Sequence, residues 1–286
     1  MRFGLIANVQ RSGAEEAITA LIHWAKDSGQ ELVLTHGLKE VVTNYDNFAP
    51  REDLPEMVDV LVAMGGDGSI LAAARSVGSI GTPLLGINIG SLGFLTQQTP
   101  KQMTAALNAV VAGEYRIDER MMLKAEVVGR PPLPMPFALN DIVLDNGSVS
   151  RVLNINLKIN GEKVVTYIAD GLIIATPTGS TAYNLAVGGP IMNPTMDAMI
   201  ASPIAPFSLT TRPMILPGSD RLELDISTPH REAVLTLDGQ VRLELKESEP
   251  VVITRADYTS KFIVFPENSY YKVLRNKLHW GMPPNP

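Results

Sequence analysis

The stretch Asp59-Val60-Leu61-Val62-Ala63-Met64-Gly65-Gly66-Asp67-Gly68-Ser69-Ile70-Leu71 decides how this chain folds. An apolar run, partly β-branched, ends in glycines that surround one acid. A run that includes Ala72, Ala73, Ala74 and Arg75 follows at once. The first part reads as a buried strand and the second as a helix. The order is therefore strand, glycine turn, helix. Glycines let a backbone come close to a ligand, and a helix N-terminus offers free N–H groups to phosphate. An acid in that turn repels phosphate, so Asp67 is out of place in a simple phosphate cradle. It is useful if it takes a proton from a hydroxyl or binds a metal. Asp and Gly also suit a plain tight turn. The stretch matches neither the Gly-x-Gly-x-x-Gly dinucleotide fingerprint nor the Gly-Lys-Ser/Thr end of a P-loop. It points to phosphoryl transfer.

Outward from that turn, strands and helices alternate. Phe3 to Ala7 reads as a strand, and Ala14, Ala17, Ile18, Leu21, Ile22 and Ala25 recur at helical spacing up to Gly29. Glu31 to Thr35, Val58 to Met64 and Pro83 to Ile89 read as further strands. Alternation of this kind predicts a parallel sheet covered by helices, with ligands outside the carboxyl ends of the strands. Gly65 to Gly68 and Gly90 to Gly93 both fall at such ends. Thr43 to Pro55 is polar and proline-bounded and reads as a mobile loop.

After about Pro100 the pattern changes. Lys101 to Val111 makes one more helix, and strand signals then dominate. Asn154 to Ile159 alternates polar and apolar residues and runs into Asn160-Gly161, a hairpin turn. Arg221 to Ile226 and Arg242 to Lys246 alternate likewise. Pro131 to Pro136 reads as an extended connector. Phe262, Val264, Phe265 and a helical Tyr270 to Leu278 look able to pack back on the first part. The expected fold is an α/β N-terminal domain with a parallel sheet, then a β-rich, β-sandwich-like C-terminal domain. The expected boundaries are 1–100 with 258–286, and 101–257.

Composition narrows the chemistry. The 286 residues carry a net charge of −6, which disfavours nucleic acid as a partner. There is no cysteine, so thiolate chemistry is excluded. His23, His36, His230 and His279 lack metal-ligand spacing and read as surface or packing residues. Met1 to Asn8 turns polar too soon for a secretory leader, and no apolar run approaches the ~20 residues of a membrane span. A cytoplasmic protein is expected.

Two clusters in the second half add a pocket. Leu139-Asn140-Asp141 sets an amide beside an acid at the mouth of a strand. Asp170-Gly171-Leu172 leads through a strand to Thr176-Pro177-Thr178-Gly179-Ser180-Thr181-Ala182-Tyr183-Asn184. The hydroxyls of Thr178, Ser180 and Thr181 suit helix caps. Their density beside Tyr183 and Gly188-Gly189-Pro190 also suits an adenosine or ribose pocket.

Gly65-Gly66-Asp67-Gly68, Leu139-Asn140-Asp141, Ala169 to Leu172, Thr176 to Tyr183, Gly188 to Ile191 and Ser202 to Pro206 closely resemble, in order and spacing, the motifs of bacterial NAD kinases. Ala7-Asn8 and Gly86 to Leu95 match as well, so the resemblance spans nearly the whole chain. It implies phosphate transfer from ATP to the 2′-hydroxyl of the adenosine ribose of NAD. It implies Asp67 as the base and Gly65, Gly66 and Gly68 as the phosphate loop. It places Asp67, Gly68, Asn140, Asp141, Arg151, Asp170, Thr181, Ala182, Tyr183, Asn184, Leu185, Ala186 and Gln240 around NAD. It implies a divalent metal ion, Mg²⁺ above others, and a homodimer or homotetramer. Ile168 departs from it, since the family often has a basic residue there. The residues by themselves leave two other readings open: a kinase for a sugar phosphate or lipid headgroup, and a dinucleotide-binding protein without turnover.

Overall fold

A computed structural model describes residues 1–90, 93–96, 98–147, 152–226, 233–246, 249–266 and 269–280. The chain divides into two compact units, Met1–Glu119 with Ser260–Pro286, and Arg120–Thr259.

The first unit is a parallel sheet with helices. In chain order it contains β1 (Arg2–Ala7), α1 (Ala14–Asp27), β2 (Glu31–Thr35), β3 (Phe48–Ala49), α2 (Leu54–Met57), β4 (Val60–Gly65), α3 (Asp67–Val77), β5 (Leu84–Asn88) and α4 (Pro100–Ala112). The strand order β5-β4-β1-β2-β3 is parallel throughout. Strands β4 and β5 are buried along their whole length, as strands covered on both faces must be. Helix α1 turns Ala14, Ala17, Ile18, Leu21, Trp24 and Ala25 inward, and Trp24 meets Phe3 edge-on at 5.1 Å. Thr99 and Gln102 close a capping box at the start of α4. Ile263 and Phe265 join this core, and Phe262 pairs in parallel with Leu84. The segment expected to be a mobile loop is instead anchored. Phe48 pairs with Leu34, and the Tyr45 hydroxyl and Asn47 amide both donate to the Leu32 carbonyl. Two aromatic rings, Tyr45 and Phe48, outweigh the polar composition around them.

The second unit is a sandwich of two sheets. Its strands are β6 (Arg116–Val127, in this unit from Arg120 on), β7 (Phe137–Ala138), β8 (Asp141–Asp145), β9 (Leu153–Ile159), β10 (Glu162–Ala169) and β11 (Gly171–Ala175). After the short α5 (Tyr183–Ala186) come β12 (Ala198–Ile204), β13 (Met214–Pro217), β14 (Leu222–Ile226), β15 (Ala233–Leu237), β16 (Val241–Leu245) and β17 (Val251–Val264, in this unit as far as Thr259). One sheet runs β10-β9-β14-β17 with β6 and β7 beside it; the other is antiparallel in the order β13-β12-β11-β8-β15-β16. The alternating residues Ile155, Leu157, Leu222 and Leu224 of the first sheet meet Ile142, Leu144, Leu172 and Ile174 of the second in one core. Asn160 and Gly161 take φ of 51° and 87°, the conformation a two-residue hairpin demands. The proline stretch is not an extended connector. It is the loop of a hairpin that lays β7 back on β6, Leu123 against Ala138. The prolines lack donors but leave carbonyls free, and Pro136 accepts from Ala125 N–H. The chain then returns to the first unit, where α6 (Tyr270–Leu278) buries Val273 and Leu274.

Candidate active site

Two turns, one in each unit, each build a candidate site of their own. In the first, the sheet order β3-β2-β1-β4-β5 reverses direction of growth between β1 and β4, and such a crevice is where ligands bind. The Gly65–Gly68 turn lies at that point, and α3 begins at Asp67 itself. Asp67 Oδ2 accepts from the Phe94 N–H at 2.8 Å. Oδ1 accepts from the Leu95 and Thr96 N–H groups at 3.0 and 3.3 Å and from the Thr96 hydroxyl at 3.3 Å. The Thr96 hydroxyl accepts in turn from Asn88 Nδ2 at 2.6 Å. A Cβ at Gly93 would stand 2.0 Å from Asp67 Oδ1, so only glycine lets this loop close over the carboxylate. A carboxylate has roughly four acceptor positions. Oδ2 uses one here, which leaves it a position for a substrate proton. Ser91 and Leu92 lie outside the described residues.

In the second unit, a cavity of about 370 Å³ is lined by Asn140, Asp141, Asp145, Tyr183, Asp238 and Ala182, among others. Its floor is organised by Asp238. That residue sits at φ 51° in the turn between β15 and β16, and its carboxylate accepts from the N–H groups of Leu139, Asn140 and Asp141 at 3.0, 2.7 and 3.2 Å. Thr176 donates to the Leu139 carbonyl at 2.5 Å and accepts from the Gly179 N–H at 3.0 Å. A Cβ at Gly179 would come within 2.0 Å of the Asn140 carbonyl oxygen, so the Thr178–Thr181 turn packs on Asn140 only as glycine.

The residues expected at the site fall into groups. Asn140, Asp141, Ala182 and Tyr183 share the cavity. Asn184 is fully buried and committed: it donates to the Ser180 and Pro190 carbonyls and accepts from the Ser202 hydroxyl. Thr181 and Leu185 are half-buried nearby, and Ala186 and Gln240 are exposed. Ser180 and Thr181 make no helix caps; the Ser180 hydroxyl instead ties Pro177 to Met192. Asp170 precedes β11 and so sits at the other end of that strand from Ala175, which pairs with Asp141; five residues of strand amount to roughly 17 Å. Ile168 is 46 % exposed on β10, which excludes a core role. Arg151 and His230 lie outside the described residues. Sequence reasoning missed Asp238 and Thr96; it set Gly93 at a strand end without its close approach to Asp67. The Asp238-Gly239 turn between alternating strands was the available signal for the first.

Burial and the nearby Asp238 charge push the Asp141 carboxyl up to about 7, against a bond from the Tyr183 N–H that pulls it down. The folded chain therefore binds this proton more tightly than the unfolded chain. The resulting stability is full below the ordinary value of 3.8 and is lost as pH rises through about 7. Asp141→Asn should erase that dependence. Urea unfolding between pH 5 and 7 should show wild type losing up to about 1.4 kcal/mol per pH unit relative to the variant. Parallel pH profiles for the two would contradict the raised carboxyl.

The comparisons with known proteins agree in kind. Residues 3–115 match the family model of the ATP-NAD kinase N-terminal domain, and residues 139–265 match that of the C-terminal domain. The chain is 39% identical over 269 residues to an NAD kinase of Geotalea daltonii, covering 91% of this chain and 92% of that one. It is 37% identical over 282 residues to an NAD kinase of Syntrophotalea carbinolica, covering 98% and 99%. Among solved structures it is similar to a yeast NADH kinase complexed with NADH, with a TM-score of 0.90 and 25% identity over 99% of this chain and 89% of that one. An NAD kinase from Archaeoglobus fulgidus in complex with ATP shares the fold, with a TM-score of 0.79 and 23% identity over 98% and 99%.

Proposed function

This chain belongs to the ATP-NAD kinase family, and we propose that Asp67 is the base on which its chemistry turns. The enzyme is an NAD kinase: it transfers the γ-phosphate of ATP to the 2′-hydroxyl of the adenosine ribose of NAD, giving NADP and ADP. The observation that carries the role of Asp67 is its fixed carboxylate at the start of α3, with an acceptor position left on Oδ2. As the ribose oxygen bonds to the γ-phosphorus, its proton passes to Asp67. The bond from phosphorus to the bridging oxygen breaks, and ADP leaves with that electron pair. Gly65, Gly66 and Gly68 form the turn that lets the phosphates approach. Phosphorus NMR of the product should show a monoester on the adenosine ribose; a phosphate elsewhere would contradict the reading.

NAD contacts are assigned to Gly68, Asn140, Asp141, Arg151, Asp170, Gln240 and the segment Thr181 to Ala186, in which the Asn184 amide is already committed to the fold. Asn140→Ala and Asp170→Ala should each raise the KM for NAD more than that for ATP, because a buried polar group left unpaired costs about 1–3 kcal/mol. Steady-state kinetics with each substrate varied checks this. An effect on ATP alone would mean the pockets are reversed.

Among the described residues, no three His, Asp or Glu side chains cluster to hold a metal. We propose Mg²⁺ as the metal of the reaction, an ion held largely by phosphate oxygens and water with one or two carboxylates. When bound, the ion neutralises charge on the transferring phosphate.

We assign the enzyme a homodimeric or homotetrameric state. Asp170 lies away from Asn140 along the sheet, and the Phe207 N–H donates to the Ile168 carbonyl close by. Phe207 and Leu209 are 81% and 92% exposed there, and Ile215 is exposed on the edge strand β13. Apolar side chains so exposed beside a binding residue suit a subunit contact. No described helix is long and apolar enough to cross a membrane. An enzyme that uses ATP and NAD works where both are held, which supports a cytoplasmic location.

A further inference from the structure

Resting on the kinase reading above, the geometry of the first unit points to a seat for the phosphate donor along the loop that joins β1 to α1. We propose that Arg11 clamps the terminal phosphates of ATP and that its base and ribose occupy the cavity behind the same loop.

Two observations carry this. The first is the position of Arg11. A Cβ at Gly66 would lie 3.3 Å from its Nη2, and one at Gly90 would lie 3.7 Å from its Nη1. The guanidinium therefore rests over both glycine turns, those at the ends of β4 and β5. The Arg11 side chain makes no hydrogen bond or ion pair among the described residues, and Arg11 is exposed. An arginine with free donors, set over glycines that open the backbone, presents a planar fork to phosphate oxygens. It also supplies the positive charge that a turn bearing Asp67 otherwise lacks.

The second observation is a cavity of about 410 Å³ at the carboxyl ends of β1 and β2, lined by Ala7, Val9, Thr35, His36, Gly37 and Arg51, among others. Ala7 and Val9 come just before Arg11, so one loop forms the cavity wall and carries the clamp. In doubly wound sheets a nucleotide lies across these ends, its phosphates at the switch point and its remainder toward β2. Apolar Val9 and Ala7 suit a base, and Thr35, His36 and Arg51 offer polar contacts for it and for the ribose.

Three variants of the full chain test this: Arg11→Ala, Arg11→Lys and Gly37→Trp. Arg11 is exposed, and a Cβ at Gly37 meets nothing within 4 Å, so all three should melt as wild type does. Arg11→Ala should raise the KM for ATP about ten- to a hundredfold, as loss of a charge-assisted contact does, with the KM for NAD unmoved. Arg11→Lys should recover part of that loss. Gly37→Trp, which fills the cavity, should also raise the KM for ATP alone. Calorimetric titration with MgATP should show the same order of affinities, and it reads the donor seat even if no NADP forms. A wild type that binds MgATP yet makes no NADP would defeat the kinase reading and leave the seat standing. A folded Arg11→Ala with wild-type affinity for MgATP would overturn the clamp. A folded Gly37→Trp with wild-type affinity would overturn the cavity as the seat, and equal rises in both KM values would overturn the whole placement.

Discussion

Asp67→Asn is expected to lower kcat by about 10²–10⁴-fold, the usual cost of losing a general base. The structure adds a second expectation. Both carboxylate oxygens accept backbone N–H groups, Oδ2 from Phe94 and Oδ1 from Leu95. An amide has one oxygen, so in either orientation its NH₂ faces one of those donors. At least one bond is lost, at about 1–3 kcal/mol. The variant should therefore melt earlier as well as turn over slowly. Isothermal titration with NAD and a melting curve separate the two effects. A variant that turns over near the wild-type rate would remove Asp67 from the chemistry.

The second large effect is expected at Asp238, a residue that touches the cavity and holds its floor. Asp238→Ala leaves the N–H groups of Leu139, Asn140 and Asp141 without their acceptor. Each such loss costs about 1–3 kcal/mol, and coupled losses add incompletely, so a total of roughly 2–5 kcal/mol is expected. The turn carrying Asn140 should loosen, and the KM for NAD should rise. Asp238→Asn separates the charge from the bonds. It keeps one oxygen for Asn140 and Asp141 and removes the negative charge that helps hold the Asp141 carboxyl near 7. The Asp141 carboxyl should then titrate at lower pH, a change that carbon NMR of a labelled side chain reads directly. An unmoved Asp141 carboxyl in Asp238→Asn would mean that burial alone raises it.

Much of this was legible in the sequence because local rules and global fold agree. The run from Val60 to Gly65 followed by Asp67 reads as strand, turn and helix, and it is all three. The alternation in β9 and β14 fixes which side chains enter the sandwich core, since a shift by one residue would turn Leu157 and Leu224 outward. Asn140 and Tyr183, far apart in the chain, were singled out by their motifs and line one cavity. Other features were hidden because they depend on long-range bonds. Nothing local shows that Asp238 will be spent on Leu139 and Asn140, or that Thr96 will reach back to Asp67. The anchored segment around Tyr45 was obscured by its polar neighbours, and the Pro131–Pro136 stretch by the ambiguity of proline between connector and turn. Asn184 shows the limit of motif reading. Its position suggests a ligand contact, while its amide is used up within the fold.

The most direct test of the central claim is an endpoint assay. The pure full-length protein is incubated with ATP, Mg²⁺ and NAD, and the product is read with a dehydrogenase that accepts NADP and not NAD, with Asp67→Asn run beside it. NADP that accumulates with wild type, needs ATP and falls at least about a hundredfold with the variant is the expected result. No NADP from a folded wild type, or equal NADP from both, would contradict it.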